Sequence, residues 1–225
     1  MEIVILLYKG FTTLDAIGAY EVLCRLPNAS VKFAAKEKGV IESEYTTTKM
    51  IATHSLDEIG EADILLIPGS TMTFTSVASD EEVLGHIRRI HTTTQLTVSV
   101  CSGSVILAAA GLLNGLSATS HWAILDILKK YGAKPVSERY VRQGKIITAA
   151  GVSAGLDMAL YITSVLEDED YAKMIQLVLE YYPEPPVDLE DLSAVPKEIE
   201  ESAISYLRNE IINMGGKLQA VAEVA

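Results

Sequence analysis

Five short stretches of the chain are apolar and β-prone, and four of them lead into a segment with helical spacing. They are residues 2–8, 30–35, 62–67, 97–100 and 145–149. The first and third are near-continuous apolar runs, the pattern of strands buried on both faces. After the first, Ile17, Tyr20, Val22, Leu23 and Leu26 recur at helical spacing over residues 15–26. The third is stopped by Pro68-Gly69-Ser70 and followed by a helix predicted over 80–91, with acidic residues in its first turn and arginines near its end, matching the helix dipole. The last leads into a strongly apolar helix over 153–166. Such alternation predicts an α/β fold, a doubly wound, mainly parallel sheet covered on both faces.

The remaining segments are placed by their turn signals. Residues 40–56, rich in threonine, predict a small side hairpin. Residues 120–131 predict a helix capped by Thr119 or Ser120. Pro183, Pro185 and Pro186 break the chain, and a final helix is expected over 196–214. With 225 residues, 49% of them hydrophobic, the chain has enough apolar surface for one core. The division expected is a domain over 1–190 and a C-terminal helical extension over 191–225, packed on that domain or serving as an oligomer contact.

Charge and cysteine content narrow the function. A net charge of −12 without a local basic patch argues against a nucleic-acid surface. Two cysteines, Cys24 and Cys101, are too few for a secreted disulfide framework. The N-terminus enters a strand directly, without a signal-peptide pattern, and no apolar run approaches the ~18 residues of a membrane span. A cytoplasmic protein with a persistent free thiol is expected.

The fourth strand ends abruptly at Cys101, followed by the small residues Ser102-Gly103-Ser104 and the helix-prone Ala108-Ala109-Ala110. A cysteine on a strand-to-helix turn projects its sulfur outward, and the helix N-terminus is expected to favour its thiolate. A small structural thiol is the plainer alternative. In a doubly wound sheet the loops at the carboxyl ends of the strands share one crevice. Residues 9–15, Pro68-Gly69-Ser70, the Cys101 turn and the loop before His121 should therefore meet. Asp15 is either a helix N-cap or a desolvated, protonated carboxyl beside Cys101. The Gly69 and Ser70 N–H groups are expected to stabilise developing negative charge. Ser102 is a donor to substrate or water, or a capping hydroxyl. His121 is a pocket residue or a structural one. His54, His86 and His91 lack metal-site spacing, and Cys24 is expected to be inert core. Neither a metal nor an organic cofactor is expected.

Gly151-Val152-Ser153-Ala154-Gly155 matches the serine-hydrolase elbow G-x-S-x-G. That triad needs a histidine downstream of the serine, and none lies beyond His121. Close glycine packing of helix on sheet, with Ser153 as a cap, is the better reading. There is no G-x-G-x-x-G after the first strand and no phosphate-binding P-loop motif.

Taken together, Phe11-Thr12-Thr13-Leu14-Asp15, Ile67-Pro68-Gly69, Val100-Cys101-Ser102-Gly103-Ser104, residues 108–122, residues 148–157 and residues 181–186 resemble the DJ-1/PfpI (ThiJ) superfamily. Within it the likeness is to isonitrile hydratases and to the similar sensor domains of AraC-type regulators. The resemblance implies a flavodoxin-like, class I glutamine amidotransferase-like single domain, a homodimer, and Cys101 as nucleophile with Asp15 as its acidic partner. It also implies a hydroxyl after the cysteine, here Ser102; peptidase-like members carry histidine there. Ser70 stands where relatives have a second glycine, and Ala19 where many have proline. The implied function is hydration of an isonitrile to an N-substituted formamide, with a small-molecule substrate and neither nucleic acid nor membrane as partner. A glyoxalase- or deglycase-like enzyme and a non-enzymatic redox sensor are the alternatives.

Overall fold

In the computed structural model of the chain, residues 1–187, 189 and 194–213 are described. Its centre is a seven-stranded sheet. In chain order the strands are β1 (Glu2–Leu6), β2 (Ser30–Ala35), β3 (Gly39–Glu42), β4 (Lys49–Ala52), β5 (His54–Ser55), β6 (Ile64–Ile67), β7 (Leu96–Val100), β8 (Ser117–Ala118), β9 (Lys134–Pro135), β10 (Tyr140–Gln143) and β11 (Ile146–Ala149). The order across the sheet is β10-β11-β7-β6-β1-β2-β5. All pairs are parallel except β10 with β11. β1 is flanked by β2 on one side and β6 on the other, so the chain changes direction at β1. That switch opens a crevice between the loops after β1 and β6, beside the end of β7.

β1 shows why the strands are apolar on both faces. Val4 and Leu6 enter one core, while Ile3, Ile5 and Leu7 enter the other. The first core is covered by α3 (Glu81–Thr93) and α4 (Gly103–Ala109), the second by α1 (Thr13–Leu23) and α5 (Ala154–Leu166), with α6 (Glu169–Val178) packed against α5. A short α2 (Phe74–Val77) follows β6, and α7 (Lys197–Asn213) ends the described chain. α3 begins where expected, with Asp80 accepting from the Glu82 and Val83 N–H groups.

Several expectations are corrected. The helix after Cys101 stops at Ala109, within the helix-prone Ala108-Ala109-Ala110 run. Residues Trp122–Tyr131 form 3-10 turns rather than an α-helix, and their cap is His121, whose Nδ1 accepts from the Ala123 N–H. The hairpin β3–β4 falls within the threonine-rich stretch. Edge strand β10 and helix α6 had no clear sequence signal: the former is short and half-exposed, the latter strongly polar on one side. Of the helix expected over 196–214, residues Lys197–Asn213 are helical, and Met214 lies outside the described residues, as do parts of the extension over 191–225.

Candidate active site

Cys101 follows the last residue of β7 and adopts φ +58°, a left-handed conformation unfavourable for a residue with a side chain. The surroundings hold it there from both sides. Its N–H donates to the Ala150 carbonyl at 2.8 Å, and its carbonyl accepts from the Ser104 and Ser120 hydroxyls, each at 3.1 Å. A strained residue so firmly tied is an observation that points toward function. Gly103 makes the turn possible: a Cβ there would lie 2.2 Å from the Ile67 carbonyl oxygen.

Asp15 is fully buried in the first turn of α1. It is not the N-cap; that position is Thr12. Asp15 Oδ2 accepts the Gly69 N–H at 2.9 Å, while its Oδ1 is buried without a protein partner. Gly69 permits this approach, because a Cβ would stand 2.6 Å from the Ser102 nitrogen and 2.9 Å from Asp15 Oδ2. Next to it the Ser70 N–H donates to Ser102 Oγ at 2.8 Å, and the Ser102 hydroxyl donates to the Ser70 carbonyl at 2.7 Å. The Tyr8 hydroxyl donates to the Pro68 carbonyl of the same turn at 2.9 Å.

These bonds correct three expectations. The Gly69 and Ser70 N–H groups are both engaged within the site, so neither is an open oxyanion donor. The Ser102 proton is likewise held by Ser70, which leaves its oxygen an acceptor toward the cavity. Finally, α4 is short and the thiol is buried: burial pushes the Cys101 thiol well above its ordinary range, and the charges of Asp15 and Glu44 add to this. Contacts with Ser102 act in the opposite direction.

Glu44 is the residue that sequence reasoning missed. It follows β3 in a loop docked on the segment after β1, where the Glu44 N–H donates to the Phe11 carbonyl at 3.0 Å. Its carboxylate accepts from the Thr12 hydroxyl at 2.9 Å and from the Thr71 N–H at 2.5 Å. Burial raises the Asp15 carboxyl to about 7, the nearby Glu44 charge adds to the rise, and the Gly69 N–H and Cys101 side chain oppose it. Near neutrality the buried Asp15 carboxyl therefore exchanges its proton while the buried Cys101 thiol keeps its own.

A cavity of about 300 Å³ opens on Cys101. His121 lines it together with Phe74, Ala123, Ile124, Val152 and Leu207. Burial holds the His121 imidazolium below its ordinary range, so the ring is neutral near pH 7. With Nδ1 accepting from Ala123, the proton of the neutral ring belongs on Nε2.

Elsewhere, Ser153 Oγ accepts from Arg139 at 3.0 Å instead of capping α5, and Gly155 lets α5 press on Val100. Cys24 is half-buried at the end of α1 beside Arg25, not in the core. His54, His86 and His91 bond to Thr53, Arg89 and Thr97 respectively, away from the cavity. Among the described residues no cluster of His, Cys, Asp or Glu is arranged to hold a metal, and no helix is long and apolar enough to cross a membrane.

The family model described as "DJ-1/PfpI family" matches residues 1–165. A protein described as isonitrile hydratase from Pseudomonas putida is 36% identical over 203 residues, which are 90% of this chain and 88% of that protein. The deglycase PfpI of Pyrococcus furiosus is 26% identical over 151 residues, 66% of this chain and 89% of that protein. The crystal structure of a ThiJ/PfpI family protein from Pseudomonas syringae superposes with a TM-score of 0.89 at 33% identity, covering 100% of this chain and 90% of that one.

Proposed function

The chain belongs to the DJ-1/PfpI family, and from that premise we propose that it is a cysteine-dependent isonitrile hydratase. The observation that carries the reading is the buried Cys101 thiol beside a buried carboxyl whose proton is exchanged near neutral pH. A carboxyl poised at about 7 is suited to move a proton at working pH. The Cys101 sulfur adds to the terminal isocyano carbon, forming a C–S bond. The proton shared between Cys101 and Asp15 passes to that carbon, which gives a thioimidate. Water then attacks the same carbon, guided by Asp15 and by the acceptor oxygen of Ser102. Its hydroxyl stays on carbon and its second proton goes to nitrogen, while His121 keeps its own Nε2 proton and serves only as a hydrogen-bond donor on the cavity wall. Collapse to the carbonyl breaks the C–S bond, returns the hydroxyl proton to the Cys101–Asp15 pair and releases an N-substituted formamide.

The apolar wall of Phe74, Ala123, Ile124, Val152 and Leu207 suits an uncharged isonitrile. A deglycase-like reaction on reactive carbonyls is the second reading, favoured by the likeness to the Pyrococcus furiosus protein. The proposal includes a homodimer in the cytoplasm, the dimer being testable by light scattering. Incubation with cyclohexyl isocyanide, following formamide release, tests the chemistry. Turnover by the parent and none by Cys101→Ala supports it. No turnover, with methylglyoxal consumed instead, transfers the assignment to carbonyl chemistry.

A further inference from the structure

The cavity at Cys101 is walled on one side by a helix far along the chain, beyond the segment matched by the family model. α7 turns one face inward: Ala203, Ile204, Leu207, Glu210 and Ile211 are buried or half-buried, while Tyr206, Arg208 and Ile212 are exposed. That spacing is the inner stripe of a helix seated on a surface. Three points fix it. Ile211, 1% exposed, packs into the core on one face of the sheet. Glu210 meets Tyr45, in the loop after β3, at the larger cleft that both residues line. One helical turn earlier, Leu207 lines the cavity that holds Cys101, Phe74 and His121. Glu210 and Asn213 line a second, larger cleft of about 1040 Å³, and Glu44 and Tyr45 border both spaces.

We propose that Leu207 is a specificity-determining residue, the wall against which the substrate's N-substituent ends, and that buried Ile211 is the positioning contact that holds it there. The cavity is confined because Leu207 stands between it and solvent. Compact apolar N-substituents fit under α7, and extended aryl groups collide with Leu207. This deepens the hydratase reading and rests on it for the identity of the substrate. The wall itself, however, bears on any electrophile that reaches Cys101.

The test uses the full chain and two readouts. In a Cys24→Ser background, Cys101 is alkylated with iodoacetamide or with N-cyclohexylmaleimide, and the rates are compared for the parent, Leu207→Ala, Leu207→Trp and Ile211→Ala. The same proteins are assayed with cyclohexyl and 2-naphthyl isocyanide. Shortening the wall should raise the bulky-to-small ratio in both readouts by about ten-fold, the lower end of what apolar pocket contacts discriminate. Leu207→Trp should lower it, and Ile211→Ala, which loosens the seat of α7, should fall between parent and Leu207→Ala. Unchanged ratios in both Leu207 variants overturn the proposal even if the hydratase turns over. Altered alkylation ratios without isonitrile turnover in any variant uphold the wall and remove the hydratase reading.

Discussion

Asp15 Oδ2 accepts the Gly69 N–H at 2.9 Å, joining the segment after β1 to the turn after β6. This bond aims a fully buried carboxyl at the crevice beside Cys101. Because Gly69 has no side chain, nothing separates the acid from its donor. The cost is a carboxyl out of water, and the protein's pH behaviour should reveal it.

A carboxyl whose folded pKa is raised to about 7 destabilises the folded state when ionised. The unfolded chain loses this proton near the ordinary carboxylate range, the folded one only near 7. Stability should therefore fall as pH rises through that window and level off above it. Asp15→Asn keeps the shape without the charge. At pH 8 it should be more stable than the parent, by on the order of 4 kcal/mol if the full shift is expressed, with the gap closing toward pH 4. Urea denaturation across this range checks the slope; equal stability at pH 8 would contradict it. Isonitrile turnover should be lost at every pH.

Glu44→Gln removes a negative charge that raises both Asp15 and Cys101, and the amide can still accept a hydrogen bond from Thr12 or Thr71. Since alkylation requires the thiolate, the midpoint of the Cys101 alkylation rate against pH should move to lower pH. The measurement is iodoacetamide labelling followed by peptide mass spectrometry. An unmoved midpoint would mean that the Glu44 charge is screened from the sulfur.

The left-handed backbone of Cys101 should be visible in stability. Both Cys101→Ala and Cys101→Gly remove the thiol, but only glycine adopts φ +58° without strain. Cys101→Gly should exceed Cys101→Ala by about 1 kcal/mol, read from denaturation midpoints at equal slope. The reverse order would place the strain elsewhere.

The Ser102 hydroxyl satisfies both backbone groups of Ser70 in a buried position. Ser102→Ala leaves an N–H and a carbonyl without that partner, which should cost about 1–3 kcal/mol and slow turnover. Ser102→Thr keeps the hydroxyl and should retain most of the stability. Thermal unfolding of the two variants separates the loss of the hydroxyl from disturbance of the turn.

The elbow was readable because every cue for it is local: a β-prone run ending at Cys101, small residues after it, then helix-prone alanines. The meeting of the Asp15, Gly69, Cys101 and His121 segments followed from the rule that strand ends in a doubly wound sheet share a crevice. What those groups do there was not readable. Gly69 and Ser70 looked like oxyanion donors, yet their N–H groups face Asp15 and Ser102. His121 caps its own turn, a role that residue type alone would have assigned to Thr119 or Ser120.

The sequence by itself determined the α/β alternation, the parallel sheet and the position of the cysteine elbow. Periodicity, turn residues and small side chains act over a few neighbouring positions, so their effect is written in order along the chain. Only the tertiary structure decided that Glu44, in an irregular threonine-rich hairpin, stands close enough for its charge to act on Asp15 and Cys101, and that Leu207 lines the cavity. Both depend on burial and on contacts between segments far apart in the chain. A carboxyl's desolvation, or the seat of a helix, is a property of what surrounds it in space.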